Sequence, residues 1–214
     1  MAARPSTIVE LDTPHGLARV HLDCVDDRRA GLVLGHGAAG GVAAPDLVAA
    51  ATAARAEGAA VALVEQPYRV AGRRAPPSAQ QLDVAWISVV EQLRERELRA
   101  LPLVVGGRSL GARVACRTVE ATGAVAVLCL AFPLRPPRRA DKPPQSRLPE
   151  LDAVTVPTLV VQGERDPFGL PPAGPAREVA TVLGDHGLKA DTGAVAAAVR
   201  AWLRGILANA GPAR

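Results

Sequence analysis

Apolar and polar residues alternate from Ser6 to Leu11 and again from Leu17 to Asp23, with Asp12-Thr13-Pro14-His15-Gly16 between the two runs. Period-two alternation marks half-buried strands, and a Pro/Gly turn between two such runs predicts a β-hairpin. The pattern then changes. Ala30 to Leu34 is continuously apolar, as in a strand buried on both faces, and Gly35-His36-Gly37-Ala38-Ala39-Gly40-Gly41 follows it. Next come a helical stretch from about Pro45 to Glu57 and a second buried strand from Ala59 to Val64. Glu65-Gln66-Pro67-Tyr68-Arg69 leads into a loop rich in Arg and Pro. A long amphipathic helix spans about Ser78 to Leu98, with Ser78 as its N-cap.

The same rhythm continues to the end of the chain. Leu103–Val105 reads as a strand, followed by a helix to about Ala121, a strand from Val125 to Ala131 and a Pro- and Arg-rich loop from Pro133 to Pro149. Pro157 to Gln162 and Glu178 to Leu183 read as the last strands, and Thr192 to Ala210 as a closing amphipathic helix. A hairpin followed by repeated β–α units predicts an α/β fold in one domain, residues 1–214. The expected architecture is a mainly parallel, twisted sheet of about eight strands, antiparallel at its N-terminal hairpin, with helices on both faces.

Composition narrows the class of function. Hydrophobic residues make up 49% of the 214, yet there are only two Trp, one Tyr and two Phe, so the core must be built from Ala, Val and Leu. The net charge of +4 is spread without a basic block, and stacking aromatics are scarce, which argues against nucleic-acid binding. No uncharged apolar stretch reaches about 18 residues, which argues against a membrane span. Cys24, Cys116 and Cys129 are odd in number and lack metal or redox spacing. They fit a reducing cytoplasm, and the N-terminus has no long apolar run of the kind a secretion signal needs.

Chemistry concentrates where an apolar β-like run ends in Gly107-Arg108-Ser109-Leu110-Gly111 and passes at once into an Ala-rich helical pattern. That is the sequence form of a nucleophile elbow. A serine hydroxyl is a poor nucleophile until a base takes its proton. Of the four histidines, His15 and His21 belong to the N-terminal hairpin, expected far from the elbow, and His36 is expected to shape its loop by hydrogen bonding. His186, in the loop after the last strand, is the candidate base. The base needs a carboxylate to orient it. Asp166 in Gly163-Glu164-Arg165-Asp166-Pro167 is the first candidate, with Glu164 and Asp185 as alternatives. Backbone N–H groups of Leu110 and of Ala38 or Ala39, Ala38 preferred, are expected to form an oxyanion hole. Arg69, Arg73 and Arg74 follow a strand that ends on the same side, and Arg69 and Arg73 are candidate contacts to an anionic substrate. No Gly-x-x-x-x-Gly-Lys-Ser/Thr occurs and Gly-x-Gly-x-x-Gly is only loosely met, so the Gly35–Gly41 stretch is not read as a phosphate loop, and no metal is expected.

The segments Leu34-Gly35-His36-Gly37-Ala38, Glu65 to Arg69, Gly107 to Gly111, Phe132-Pro133-Leu134 and Gln162 to Gly169 together resemble small α/β-hydrolases of the dienelactone-hydrolase-like group. The resemblance covers about residues 30 to 190 and is closest to the branch that includes testis-expressed protein 30 and subunit 3 of the NSL chromatin complex. It implies the α/β-hydrolase fold, a Ser109–Asp166–His186 triad in that chain order, and no cofactor. Two departures stand out. Dienelactone hydrolases carry a cysteine where this chain has Ser109, and the helix usual between Phe168 and Arg177 is replaced by a stretch with Pro171, Pro172, Gly174 and Pro175. The Pro133–Pro149 loop is too polar for a hydrophobic cap, so no large cap domain is expected. The expected function is a serine hydrolase acting on a small ester or thioester substrate. The alternative is a hydrolase-fold interaction module with little or no catalysis.

Overall fold

In the computed structural model, residues 7–136 and 145–209 are described. The alternating runs form β1 (Thr7–Thr13) and β2 (Gly16–Asp23), paired antiparallel from Thr7↔Leu22 to Thr13↔Gly16. Their buried positions, Leu11, Ala18, Val20 and Leu22, share the face turned to the core. The turn is closed by Thr13, whose hydroxyl donates to the Gly16 carbonyl at 2.6 Å and accepts the His15 N–H at 3.2 Å.

The chain continues through β3 (Ala30–Gly35), α1 (Pro45–Ala56), β4 (Ala59–Glu65), α2 (Pro67–Val70), α3 (Ala79–Glu95), β5 (Leu103–Arg108) and α4 (Leu110–Thr122). It ends with β6 (Ala126–Leu130), α5 (Leu148–Asp152), β7 (Thr158–Gly163), β8 (Arg177–Val182) and α6 (Thr192–Asn209). The eight strands form one sheet in the order β1-β2-β4-β3-β5-β6-β7-β8. β2 runs antiparallel to β1 and β4, and every other neighbouring pair is parallel. The continuous apolar runs behave as expected: every position of β3, β6 and β7 is buried.

Two apolar layers cover the sheet. On one face α3 contributes Leu82, Trp86, Val89, Val90 and Leu93, and α4 contributes Val114, Ala115 and Val119. On the other, Leu47, Ala50, Ala51 and Ala54 of α1 share a core with Val195, Val199 and Leu203 of α6. Alanines let α1 and α6 approach closely, which is how a chain short of aromatics fills its core. Ser78 caps α3 by accepting the Gln81 N–H at 3.3 Å, a device contributing about 1 kcal/mol.

The sequence pattern missed two short helices, α2 at the start of the expected Arg- and Pro-rich loop and α5 across the end of the expected Pro133–Pro149 loop. Each has a proline in its first turn, Pro67 and Pro149, where a fixed φ helps and no N–H is required. With four and five residues they are too short to show a helical period. α3 stops at Glu95, short of the expected Leu98. Part of the Pro133–Pro149 loop, residues 137–144, lies outside the described residues, as does the expected helix end at Ala210. No helix forms between β7 and β8; a Gly174–Arg177 bridge turns the chain into β8 instead. Among the described residues no helix is long and apolar enough to cross a membrane. The parallel strands all end at one edge of the sheet, where β5, between β3 and β6, delivers Ser109.

Candidate active site

Ser109 stands between β5 and α4 with φ 52° and ψ −104°, a conformation that costs about 1–3 kcal/mol for a residue with a side chain. The surroundings hold it there. Its N–H donates to the Leu130 carbonyl at 2.9 Å and its carbonyl accepts the Arg113 N–H at 3.2 Å. The glycines on either side are sterically required. A Cβ on Gly107 or on Gly111 would run into the Gly35 carbonyl oxygen. Because the β3 backbone passes against both positions, the elbow fits only with glycine at each.

The His186 Nε2 lies 2.9 Å from the Ser109 Oγ, and the His186 Nδ1 lies 2.8 Å from the Asp166 Oδ2. An ionised carboxylate can only accept, so Nδ1 carries the proton and Nε2 is left to accept from the serine hydroxyl. The Asp166 side chain is fully buried and held from three sides. Its Oδ1 accepts the Phe168 N–H at 2.8 Å, and its Oδ2 also accepts from the Gln162 Nε2 at 2.7 Å. The Phe168 ring meets the His186 ring edge-on, with centroids 4.5 Å apart. The alternative acids are engaged elsewhere: Glu164 pairs with Arg165 at the surface, and Asp185 accepts the Gly187 N–H at 2.8 Å. The loops that carry Asp166 and His186 meet because the Asp185 backbone passes directly over Gly163, where a Cβ would collide with its carbonyl.

A family model for the alpha/beta hydrolase domain matches residues 28–189 and so spans all three of these residues. The chain belongs to that family. Solved structures agree in fold. A lidless α/β serine hydrolase from Xanthomonas campestris is 18% identical, with a TM-score of 0.73 over 96% of this chain and 97% of its own. Est1E from Butyrivibrio proteoclasticus is 15% identical, with a TM-score of 0.76 over 95% of this chain and 100% of its own. A dienelactone hydrolase from Anabaena variabilis is 14% identical, with a TM-score of 0.73 over 94% and 99%. No curated protein matches the chain.

The other candidate residues of this α/β-hydrolase domain fall in two groups. Leu110 is the first residue of α4, so its N–H has no partner inside the helix and lies at the positive end of the helix dipole. Gly37 packs on Ser109: a Cβ there would lie 3.6 Å from the Ser109 Cβ. Ala38 follows it, half-buried, while Ala39 is exposed, and the Tyr68 hydroxyl donates to the Ala38 carbonyl at 3.3 Å. His36 shapes this loop as expected. Its Nε2 accepts the Gln66 N–H at 3.1 Å, so its Nδ1 donates to the Gly37 carbonyl at 2.8 Å. Burial holds its pKa below the ordinary value. Arg73, His15, Gln66, Tyr68 and Gln81 line a cavity of about 210 Å³ beside this loop. Arg69 is not among its lining residues, and no residue of the elbow is. A separate cleft of about 260 Å³ opens beside His186, lined by Pro167, Asp185, Gly187 and Lys189.

Two residues of the site escaped the sequence reading. Gln162 is fully buried on β7 and directs its Nε2 toward Asp166, the Phe132 carbonyl at 3.0 Å and the Gly169 carbonyl at 3.1 Å. A lone amide at the end of the apolar run Leu159-Val160-Val161 was the available signal. Arg108 extends from the elbow toward Asp46, at the start of α1; its Nε lies 2.9 Å from the Asp46 Oδ2. The N–H is not aimed squarely at that oxygen, so charge attraction more than a directed hydrogen bond joins the two. Burial pushes the Asp46 carboxyl above its ordinary pKa, and the Arg108 charge opposes that rise.

Proposed function

We propose that this domain is a serine hydrolase that cleaves a small carboxylic ester or thioester through an acyl-enzyme. The observation that carries the reading is the hydrogen-bonded line from Ser109 through His186 to Asp166. In the proposed mechanism the Ser109 Oγ attacks the carbonyl carbon while the His186 Nε2 takes its proton. Asp166 keeps the proton on Nδ1 and stabilises the imidazolium that forms. The Leu110 and Ala38 N–H groups receive the oxyanion. His186 then protonates the departing alcohol or thiol, and the acyl group stays on Ser109. A water, deprotonated by the same Nε2, attacks the acyl carbon and releases the acid. Only neutral imidazole can accept the serine proton, so activity rises with pH along its acid limb.

Several features favour a small substrate. The cleft beside His186 holds only about 260 Å³, with the charged Asp185 and Lys189 among its lining residues. Each buried methylene adds about 0.8 kcal/mol of binding only where apolar surface receives it. Nitrophenyl acetate or butyrate should therefore show a higher kcat/KM than the decanoate; a steady climb with chain length would reveal an acyl tunnel and overturn this part. The cavity at Arg73 supports an anionic group on the substrate, with Arg73 in place of Arg69 as its main contact. Est1E has been solved with ferulic acid bound, and a carboxylic acid of that size suits the same expectation. The quoted motifs support placing the chain near the testis-expressed protein 30 branch. All three cysteines are free, as a reducing cytoplasmic setting keeps them.

The test is a fluorophosphonate probe on the purified protein. Wild type should label, and Ser109→Ala should lose both labelling and ester turnover while its melting temperature is kept. Unlabelled wild type after prolonged exposure would favour the interaction module instead.

A further inference from the structure

Arg108 touches three parts of the site at once. Its Nη2 donates to the His186 carbonyl at 2.9 Å. Its Nη1 fills the space where a Cβ on Gly37 would sit, 2.8 Å away. Its Nε faces Asp46, whose side chain is fully buried, while the Arg108 side chain itself is 16% exposed. The base loop, the loop that carries Ala38 and the start of α1 thus converge on one guanidinium, attached to the residue before the nucleophile.

A buried ion pair is a weak source of stability, because desolvating two charges offsets most of their attraction. Apolar residues of similar volume often serve folding as well or better. A rigid planar fork, however, can set the distances among three backbone segments in a way that no apolar side chain can. We propose that Arg108, braced by Asp46, is a positioning residue that sets the His186 loop and the Gly37–Ala38 loop in register with Ser109. The proposal rests on the serine-hydrolase reading and adds to it a geometric and an electrostatic requirement outside the Ser–His–Asp line.

The electrostatic requirement has a definite sign. The charged and titratable groups facing His186 are Asp166 from the loop after β7, Arg108 from β5, and Asp185 and Lys189 from its own loop. Asp46 stands behind Arg108 and offsets its charge. Removing the Asp46 charge leaves a bare cation near the base and disfavours imidazolium. Removing the Arg108 charge lets the buried Asp46 carboxyl take up a proton, so the pair is lost as a whole and the field at His186 changes little. The acid limb of kcat/KM should move to lower pH by about 0.5 to 1 unit in Asp46→Asn and stay near its place in Arg108→Met. Arg108→Lys keeps the charge but cannot reach Asp46 and the His186 carbonyl together. It should leave the limb in place and lower kcat about tenfold at nearly constant KM.

The decisive variant is Arg108→Met combined with Asp46→Leu, which removes both charges and restores apolar packing. It should melt at or above the wild-type temperature, with its pH limb near that of wild type and kcat down about ten- to a hundredfold. Normal kcat in this folded double variant would overturn the proposal, as would an Asp46→Asn variant whose acid limb stays in place. Fluorophosphonate labelling of wild type keeps the two ideas apart. An unlabelled wild type sinks the hydrolase reading; a labelled wild type with a fully active double variant sinks only the positioning role of Arg108.

Discussion

In the proposed hydrolase, the nucleophile side, at Ser109, and the acid–base side, at Asp166 and His186, are built by different means. Around Ser109 the constraints are backbone and steric: Gly107 and Gly111 pressed on the Gly35 carbonyl, and main-chain bonds to Leu130 and Arg113. Around Asp166 and His186 they are mostly side-chain hydrogen bonds, from Gln162, from Arg108 and between the two residues themselves. The difference has a consequence for mutation. A change on the first side meets hard-core repulsion and threatens folding. A change on the second side leaves the sheet intact and misplaces a proton acceptor, so it should act on rate more than on stability.

The largest expected effect lies on the acid–base side. Asp166→Asn should lower kcat about 10⁴-fold, because an amide that donates to Nδ1 leaves the imidazole in the wrong tautomer. Gln162→Met, which removes one of three restraints on Asp166, should cost about ten- to a hundredfold, with little change in melting temperature. Steady-state kinetics beside thermal melts check both. Near-normal turnover in Asp166→Asn, with loss in Asp185→Asn or Glu164→Gln, would move the acid role to one of those residues.

The nucleophile side should answer in stability. Gly111→Ala places a methyl on the Gly35 carbonyl, with the His36 carbonyl oxygen 3.0 Å from the same Cβ. Relief requires β3 and α4 to separate, at a cost of about 3 kcal/mol. Urea unfolding measures this; a loss below about 0.5 kcal/mol would show that the elbow is far softer than its contacts imply.

The smallest effect lies on the nucleophile side and is read through pH. The folded-state pKa of His36 is lowered, chiefly by burial, from an ordinary 6.5. Below that value the unfolded chain binds the proton more readily than the native one. The stability contributed by neutral His36 is therefore complete above about pH 6.5 and is lost as pH falls below it. His36→Gln keeps an acceptor for the Gln66 N–H and cannot charge. Its melting temperature should decline less than that of wild type between neutral and mildly acidic pH; parallel declines would assign the effect to other groups.

The sequence by itself determined the parts of this protein that depend on neighbours along the chain. Apolar runs marked the buried strands, Ser78 marked the start of α3, and the glycine spacing around Ser109 marked the elbow, because propensity, capping and a tight turn are all local. It also brought forward Asp166 and His186, through their places after the last strands. The tertiary structure alone decided among Asp166, Glu164 and Asp185. Which carboxylate meets an imidazole 20 residues later in the chain depends on how two loops cross over Gly163. It alone placed His15 beside Arg73, since the β1–β2 turn reaches the end of β4 only through antiparallel pairing across the sheet. The roles of Gln162 and Arg108 were hidden for the same reason. A buried amide and a buried ion pair carry meaning only through the partners that the folded chain sets around them.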